Sequence, residues 1–366
     1  MREKIGRHQE KRYTEVIPIP GLQIGIDLGT TSILVYVKGR GIVMQEASVA
    51  ALDAKTGEVR ALGNAVHRMV GRNPGSLRVV HPMRDGVISD FSVIHAMIAH
   101  YIGKLCGKRV FKPTVMICMP ASVTGLERSA ILELAIAAGA SRACLVEEPL
   151  AAALGAGLDL TDPGGQLVVD IGGGTTDVAV FTMGAMAIAR SAKVAGNALE
   201  DAIIRYLRRE RNVIVGQLTA EHIKMRVGCA RLRSPELAIN VRGQDYTTRM
   251  PARLEVNSTE TFLAMRERLR DITEAVRGVL EETPPEMAGD IFDRGMVLTG
   301  GGALLRDIDL MLRAETGLDV RVAKNPAQCV AQGLGFMLED PEILRSNNCM
   351  FRTDDDIGEF ERNRNL

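Results

Sequence analysis

Short runs of aliphatic and β-branched residues recur along the chain, and two of them end at an aspartate that glycines follow. The run Leu167–Val169 leads into Asp170, three glycines and two threonines, and the apolar run Val178–Phe181 comes soon after. Short β-branched runs indicate buried strands, and the glycines between them indicate a tight turn. The pattern predicts a strand–turn–strand hairpin with an aspartate at the end of its first strand.

The same order of residues occurs once more, near the start of the chain. Ile24–Tyr36 again reads strand, aspartate, glycine, hydroxyl residues and strand. A third glycine turn, Thr299–Leu305, leads from the strand Met296–Leu298 into a helix. Two copies of the hairpin, each opening one half of the chain, predict an α/β fold made of two related lobes around a cleft.

Apolar residues at helical spacing separate these strands and complete the α/β pattern. Thr124 and Glu127 form a capping box, and the helix after them is expected to bury Leu126 and Ile131. Further helices are predicted over 197–211, 260–282 and after Pro326.

The predicted elements divide the chain into two lobes with small inserted subdomains. The expected divisions are a flexible arm at 1–20, lobe I at 21–160 with an insert at about 45–82, lobe II at 161–325 with an insert at about 197–258, a last helix at about 326–340 that packs back on lobe I, and a polar tail at 341–366.

Composition limits the function classes. The 366 residues are 46% hydrophobic and 25% charged with zero formal net charge, which suits two domains with their own cores. Neutral charge and only 4% aromatic residues argue against a nucleic-acid partner. The six cysteines show no Cys-x-x-Cys spacing and predict reduced core residues of a cytoplasmic protein. No apolar run reaches the roughly 18–20 residues that span a bilayer, although the protein could lie on a membrane surface.

The hairpins predict a site for phosphate. Consecutive backbone N–H groups in a glycine turn form a concave nest for an anion, and threonine hydroxyls add donors. Asp27 and Asp170 end matching strands, so both would face the cleft floor. Because Mg²⁺ keeps several of its waters, these two carboxylates are expected to hold it through water.

Glu148 is the candidate for orienting the water that attacks a γ-phosphate. Pro149 suits a first helical turn, which places Glu148 at the positive end of the helix dipole, where an ionised carboxylate is favoured. Asp177 is a second candidate to help hold that water. The alternative for Glu148 is an ordinary carboxylate at the start of a helix.

Glu221 and Lys224 are three residues apart and therefore share one face of a helix that Thr219 is expected to cap. A carboxylate and an ammonium there could contact the ribose and adenine of a nucleotide. The alternative is a solvated salt bridge.

Taken together, these segments resemble the superfamily of actin, the heat-shock chaperones and the sugar kinases, and more closely its bacterial actin branch, the MreB/Mbl family of cell-shape proteins. The likeness runs from about residue 22 to 345. The matching segments are Ile24–Thr30, Arg84–Ile88, Glu147–Pro149, Asp170–Thr176, Thr283–Glu286 and Thr299–Gly302. This sequence departs from the family at Thr31-Ser32, where Ala-Asn is usual, and at Asp177, where many members have Glu.

The resemblance implies a duplicated actin-like (ribonuclease H-like) fold that binds ATP and Mg²⁺, hydrolyses ATP slowly and forms homopolymeric filaments beneath the inner membrane. Its partners would be further copies of the chain, the membrane surface, and the membrane proteins of cell-wall synthesis and cell shape. Glu148 would be the hydrolytic carboxylate. By position, the family's nucleotide contacts correspond to Thr30, Thr31, Ser32, Gly172, Gly173, Gly174, Thr175, Glu221, Lys224, Gly300, Gly301, Gly302 and Ala303. Val110 and Phe111 fall where the family has an apolar loop that touches the membrane; a Val-Phe pair before a strand could equally belong to the core.

Three other functions use the same cleft. A small-molecule kinase would need a separate carboxylate base for its acceptor hydroxyl, and none is evident. A chaperone of the heat-shock class would need a peptide-binding domain after the nucleotide domain. An ATP-binding module that neither polymerises nor cleaves ATP is the third possibility.

Overall fold

The computed structural model describes residues 21–107, 110–121, 123–340 and 350–353. The expected arm at 1–20 and most of the tail at 341–366 lie outside these residues. The strands are β1 Gln23–Leu28, β2 Ser32–Val37, β3 Gly41–Ala47, β4 Ala50–Asp53, β5 Val59–Leu62, β6 Leu77–Val80, β7 Met83–Arg84, β8 Val87–Ile88, β9 Thr114–Met119, β10 Arg142–Glu147, β11 Gln166–Ile171, β12 Thr176–Thr182, β13 Ala185–Ala192, β14 Val213–Ile214, β15 Ala238–Asp245, β16 Pro251–Asn257, β17 Met296–Thr299, β18 Val320–Val322 and β19 Met350–Thr353. The helices are α1 Asn64–His67, α2 Phe91–Cys106, α3 Gly125–Ala137, α4 Glu148–Gly155, α5 Gly196–Glu210, α6 Gln217–Val227, α7 Ser258–Glu282, α8 Pro285–Arg294, α9 Ile308–Thr316 and α10 Cys329–Glu339, with 3-10 turns at Gly301–Leu304 and Pro326–Gln328.

Two mixed sheets form the centres of the two lobes. The first has the order β19-β10-β9-β1-β2-β3 and the second the order β13-β12-β11-β17-β18. In each sheet a hairpin, β1–β2 or β11–β12, pairs antiparallel, and its first strand also pairs in parallel with the next strand, β9 or β17. These first strands are almost wholly buried, which explains their nearly continuous apolar sequence.

Two smaller sheets extend the lobes. The sheet β5-β4-β6 follows β3 in lobe I, and the sheet β14-β15-β16 lies between α5 and α7 in lobe II. Each lobe has its own apolar core, one around Ile26, Ile94 and Ile117 and the other around Val169, Ile223 and Leu298.

A third apolar cluster joins the lobes and contains α4 and α10. These helices approach so closely that a Cβ added to Gly155 would overlap the carbonyl of Cys329, and one added to Gly333 would overlap the carbonyl of Ala151. The last helix also packs on β1 and β2, and Lys38 Nζ donates to the Leu338 carbonyl at 2.5 Å. The chain therefore leaves lobe II and ends its last helix against lobe I.

Most predicted elements form as expected, and the exceptions are local. The capping box of α3 is present, because Glu127 N donates to Thr124 Oγ1 at 3.3 Å and Thr124 N donates to Glu127 Oε2 at 2.9 Å. The prediction that Leu126 is buried was wrong: the residue is 83% exposed, and Ile131, Leu132, Ala135 and Ile136 form the buried face.

Two further expectations need correction. The helix that carries Glu221 begins at Gln217, so Thr219 lies inside its first turn and does not cap it. Residues 350–353, expected in a polar tail, form β19, which pairs antiparallel with β10 at the edge of the first sheet. Since Met350 and Phe351 are apolar, this short segment suits a strand better than its polar surroundings suggested.

Candidate functional site

The two aspartate–glycine hairpins meet at the junction of the lobes. A Cβ added to Gly173 would overlap the hydroxyl of Thr31, and one added to Gly174 would lie 2.6 Å from Thr30 Oγ1. Thr31 Oγ1 also donates to Asn197 Oδ1 at 3.3 Å, at the start of α5. Because only glycine leaves room for this approach, the glycine turn of lobe II packs directly on the hydroxyl residues of lobe I.

A cavity of about 410 Å³ opens above these hairpins, within the size range of small-molecule sites. It brings together almost all of the predicted binding residues. The predicted residues that line it are Asp27, Thr30, Thr31, Ser32, Glu148, Asp170, Gly172, Gly173, Gly174, Thr175, Glu221, Lys224, Gly300, Gly301 and Gly302. Ala303 and Asp177 are buried and do not line it.

Asp27 and Asp170 stand at the ends of β1 and β11 and are 8% and 2% exposed. Burial raises the pKa of each to about 7, and repulsion from Asp170 adds to the rise at Asp27. Thr299 Oγ1 donates to Asp170 Oδ2 at 2.8 Å, which partly opposes the rise at Asp170. Two buried carboxylates with raised pKa values on one cavity form a site that a cation would stabilise.

Asp177 adds a third carboxylate to this group. It pairs with Asp170 across β11 and β12, and burial raises its pKa to about 6. The hydroxyls of Thr175 and Ser191 and the backbone N–H of Ala121 face its carboxylate and partly oppose this rise. Asp177 does not line the cavity.

Glu148 is the first residue of α4 and faces the same carboxylates. Burial, and then Asp177, Asp170 and Asp27, raise its pKa well above the usual value. The helix dipole favours its ionised form, as the sequence suggested, but burial and the three aspartates outweigh that effect in the protein alone.

The oxygen donors in this group suit a hard cation held through water. Among residues 21–107, 110–121, 123–340 and 350–353, no group of three or more His, Cys, Asp or Glu side chains is arranged to bind a metal ion directly. The carboxylates of Asp27 and Asp170 are buried and line one cavity, which fits the water-mediated binding that Mg²⁺ prefers.

The wall of the cavity in lobe II is formed by α5 and α6. Lys224 Nζ donates to Glu200 Oε1 at 2.6 Å and to the Gly196 carbonyl at 3.3 Å. Glu221 Oε2 lies 3.5 Å from Nε2 of His67, which belongs to the insert of lobe I, so this pair bridges the cleft. Sequence reasoning missed Glu200, Gly196 and His67, although a glycine that opens a helix was a usable signal for Gly196.

The third glycine turn closes the far end of the cavity. Gly300 has φ 79°, and a Cβ there would overlap the carbonyl of Ile171, so glycine is required. Met225 and Leu304 also line the cavity and are 66% and 64% exposed. These apolar side chains give this end of the cavity the character that a flat aromatic base requires.

Val110 and Phe111 lie outside the cavity, in the connection between α2 and β9, and are 89% and 56% exposed. They are therefore surface residues rather than part of the core. Of the helices that the structure describes, none has the length and apolarity to cross a membrane.

Two sheets of related order, each with an aspartate–glycine hairpin that contributes to one shared cavity, define an actin-like protein. The family model described as MreB/Mbl protein matches residues 21–346, and the chain belongs to this family. The fold class and the family resemblance that the sequence predicted are thereby confirmed.

Individual relatives agree with this assignment. The chain is 46% identical to the cell shape-determining protein Mbl of Bacillus subtilis (strain 168) over 322 residues, which cover 88% of this chain and 97% of that protein. It is 44% identical to the cell shape-determining protein MreB of Escherichia coli (strain K12) over 322 residues, with 86% and 93% covered. The crystal structure of MreB5 of Spiroplasma citri bound to ADP superimposes with a TM-score of 0.85 at 37% identity, covering 89% of this chain and 98% of that one. A MamK double helical filament, at 20% identity and a TM-score of 0.74, supports the fold alone.

Proposed function

We propose that this protein binds ATP with Mg²⁺ in the cavity between its lobes, polymerises into filaments and hydrolyses ATP slowly. The filaments would lie in the cytoplasm at the inner face of the cell membrane, guide cell-wall synthesis and maintain rod shape. Two crystal structures of one relative with the same fold support nucleotide binding: MreB5 of Spiroplasma citri was crystallised with ADP and with AMPPNP. Membership of a family of cell shape-determining proteins supports the cellular role.

The proposal rests on one observation, the contact between the two hairpins. This contact brings groups from both lobes that can donate hydrogen bonds to phosphate beside the carboxylates of Asp27 and Asp170. Backbone N–H groups of Gly172–Thr175 and the hydroxyls of Thr30 and Thr31 suit a polyphosphate, and Asp27 and Asp170 suit its cation. The N-terminus of α5 adds a partial positive charge on the same side. The base and ribose would then extend toward Glu221, Lys224 and Gly300–Gly302.

For hydrolysis, Glu148 orients the attacking water. Mg²⁺ supplies positive charge that neutralises the phosphates when it is bound. Asp27 and Asp170 would hold it through water, and Glu148 would face the terminal phosphate from the start of α4. The negative charge of Asp177 helps to raise the pKa of Glu148.

The membrane contact falls to Val110 and Phe111. Two large apolar side chains exposed side by side, next to Lys112, combine apolar burial with attraction to anionic lipid headgroups. Polymerisation would repeat this weak contact along a filament, so that many copies bind together where one would not.

Sedimentation with and without ATP–Mg²⁺, followed by electron microscopy of the pellet, tests the filament. Protein that enters the pellet as filaments only with nucleotide supports the proposal. Protein that stays monomeric in both conditions, across a range of concentrations and salt, refutes it. ATP turnover that needs a sugar or an acid, without a polymer, would instead identify a small-molecule kinase.

The role of Glu148 is tested by Glu148→Ala, with Glu274→Ala on the exposed face of α7 as the matched control. ATP affinity should survive in both variants. Phosphate release should fall strongly in Glu148→Ala alone, by about 100-fold, the range expected for loss of a positioned acid–base group. Unchanged release would remove Glu148 from the hydrolytic role.

A further inference from the structure

Arg128, in the first turn of α3, hydrogen-bonds to two segments of the chain. Both segments lie beside the acidic residues Asp27, Asp170, Asp177 and Glu148. Its Nη2 donates to Glu147 Oε1 at 2.8 Å and to the Ala121 carbonyl at 3.3 Å, and its Nε donates to the Val123 carbonyl at 3.1 Å. The guanidinium is 21% exposed and the Glu147 side chain 29% exposed. A partly buried, three-way arginine bridge of this kind is stronger and more directional than a surface ion pair.

The first segment joins β9 to α3 and contributes to the cavity. Pro120 lines the cavity, and a Cβ added to Gly86 would lie 3.2 Å from Pro120 Cγ and 2.6 Å from Thr175 Cγ2. Pro120 therefore packs close to the glycine turn that contains Thr175, where phosphate is expected to bind. The N–H of the next residue, Ala121, faces Asp177 and helps to lower the pKa of that carboxyl.

The second segment is the start of α4. Glu147 is the N-cap residue of this helix, and Glu148 is its first residue. Glu147 immediately precedes Glu148, so the hydrogen bond from Arg128 to the Glu147 side chain fixes the residue from which α4 begins. Arg128 thus restrains the backbone immediately before Glu148 and the loop that faces it.

Arg128 also offsets part of the negative charge near the buried carboxylates. Glu147 raises the pKa of Asp177, so its negative charge reaches the buried group. In the described ranges of the chain, Asp27, Asp170, Asp177 and Glu148 form no ion pair with lysine, arginine or histidine. The guanidinium of Arg128 pairs with Glu147 and so offsets the negative charge that Glu147 adds near this group.

We propose that Arg128 is a positioning residue for ATP hydrolysis: by bridging Glu147 to the Ala121 and Val123 carbonyls, it holds the Glu148 carboxylate toward the terminal phosphate. This inference rests on the proposed hydrolytic role of Glu148. Arg128 does not line the nucleotide cavity, so its effect falls on the rate of hydrolysis and leaves nucleotide affinity nearly unchanged.

The test compares single-turnover hydrolysis, expressed per bound nucleotide, in wild type, Arg128→Ala, Glu148→Ala and the double variant. Arg190→Ala, which breaks the exposed pair of Arg190 with Glu282 in lobe II, controls for loss of an arginine ion pair. We expect Arg128→Ala to slow hydrolysis at least tenfold with ATP affinity within about twofold, since a misplacement of 1 Å can cost about 100-fold. In the Glu148→Ala background, Arg128→Ala should cause no further loss, because it acts through Glu148.

The outcomes separate the two proposals. Wild-type hydrolysis in Arg128→Ala, or losses that multiply in the double variant, overturns the positioning role while leaving Glu148 in place. Normal hydrolysis in Glu148→Ala overturns the hydrolytic role of Glu148, the part of the proposed function on which this inference rests. Should Arg128→Ala fail to fold, Arg128→Lys keeps the charge but lacks the planar guanidinium fork that reaches Glu147 and the two carbonyls, and it permits the same two comparisons.

Discussion

Asp27→Asn should stabilise the nucleotide-free protein while it weakens the binding of ATP–Mg²⁺. The wild-type carboxyl is 8% exposed and lies beside Asp170, and its pKa is raised from 3.8 to about 7. Asparagine has nearly the same shape and carries no charge. It therefore removes the cost of burying a negative charge at this position.

The size of the effect follows from the pKa. Raising it from 3.8 to about 7 corresponds to about 4 kcal/mol at full ionisation, since each pKa unit is worth ~1.4 kcal/mol. This is an upper limit, because Asp27 and Asp170 titrate as a pair and their effects cannot be added. A carboxyl whose pKa is higher in the folded chain adds stability that is complete below about pH 4 and is lost as the pH rises through about 7.

Urea unfolding of the nucleotide-free protein at about pH 5.5 and about pH 8 measures this. The gain in unfolding free energy for Asp27→Asn should be about 2 kcal/mol larger at the higher pH. Asp53→Asn is the control, because backbone N–H groups of Thr56 and Lys55 lower the pKa of Asp53. Its stabilisation is present throughout this pH range, so that variant should lose the same stability at both values.

The two halves of the prediction can fail separately. A gain in stability that does not depend on pH, or a loss at pH 8, would show that the pKa of Asp27 is not raised in the folded protein. ATP affinity that keeps its dependence on Mg²⁺ in Asp27→Asn would exclude this carboxylate from holding the cation.

Three further predictions concern other parts of the molecule. Gly173→Ala should lower ATP affinity at least tenfold in fluorescence titrations, because its methyl group would overlap the Thr31 hydroxyl and force the hairpins apart; unchanged affinity would contradict the hairpin contact. His67→Ala removes the contact with Glu221 across the cleft and should speed the release of a fluorescent ATP analogue in stopped flow by about twofold to fivefold, the value of a partly exposed ion pair, whereas an equal or slower release would argue against a bridge. Phe111→Ser should reduce co-sedimentation with anionic liposomes and leave filament formation intact, and full lipid binding would exclude this loop from the membrane contact.

The sequence predicted the parts of the site that are built from residues adjacent in the chain. An aspartate, glycines and hydroxyl residues stand together in the chain, so the hairpin and its phosphate donors can be recognised without knowing the fold. The duplication of the hairpin then implied a cleft. Two related hairpins can both face a single ligand when that ligand lies between the two lobes that carry them.

The parts that sequence missed depend on tertiary packing. Glu147 lies 19 residues beyond Arg128, and the sequence near either residue does not predict the hydrogen bond between them. The contact between His67 and Glu221 joins the two inserts, which only the folded chain brings together. Leu126 shows the same limit within one helix, since the capping box located the start of α3 but did not determine which side of its first turn faces the core.

The electrostatics of Glu148 also needed the fold. Its place at a helix start favours a charged carboxylate, and that inference from sequence is sound as far as it goes. Burial, together with three buried aspartates from other strands, raises the pKa of Glu148 and reverses the balance. The local rule predicted the position of Glu148, but burial and charges from distant parts of the chain set the direction of its pKa shift.

The close approach of Gly155 to the Cys329 backbone has a mechanical consequence. The chain passes between the lobes twice, once after α4 and once before α10, and both passages meet at this point. We expect the lobes to rotate about this pivot and not to separate. A nucleotide held by both hairpins would limit this rotation and so set the distance between the two inserted sheets.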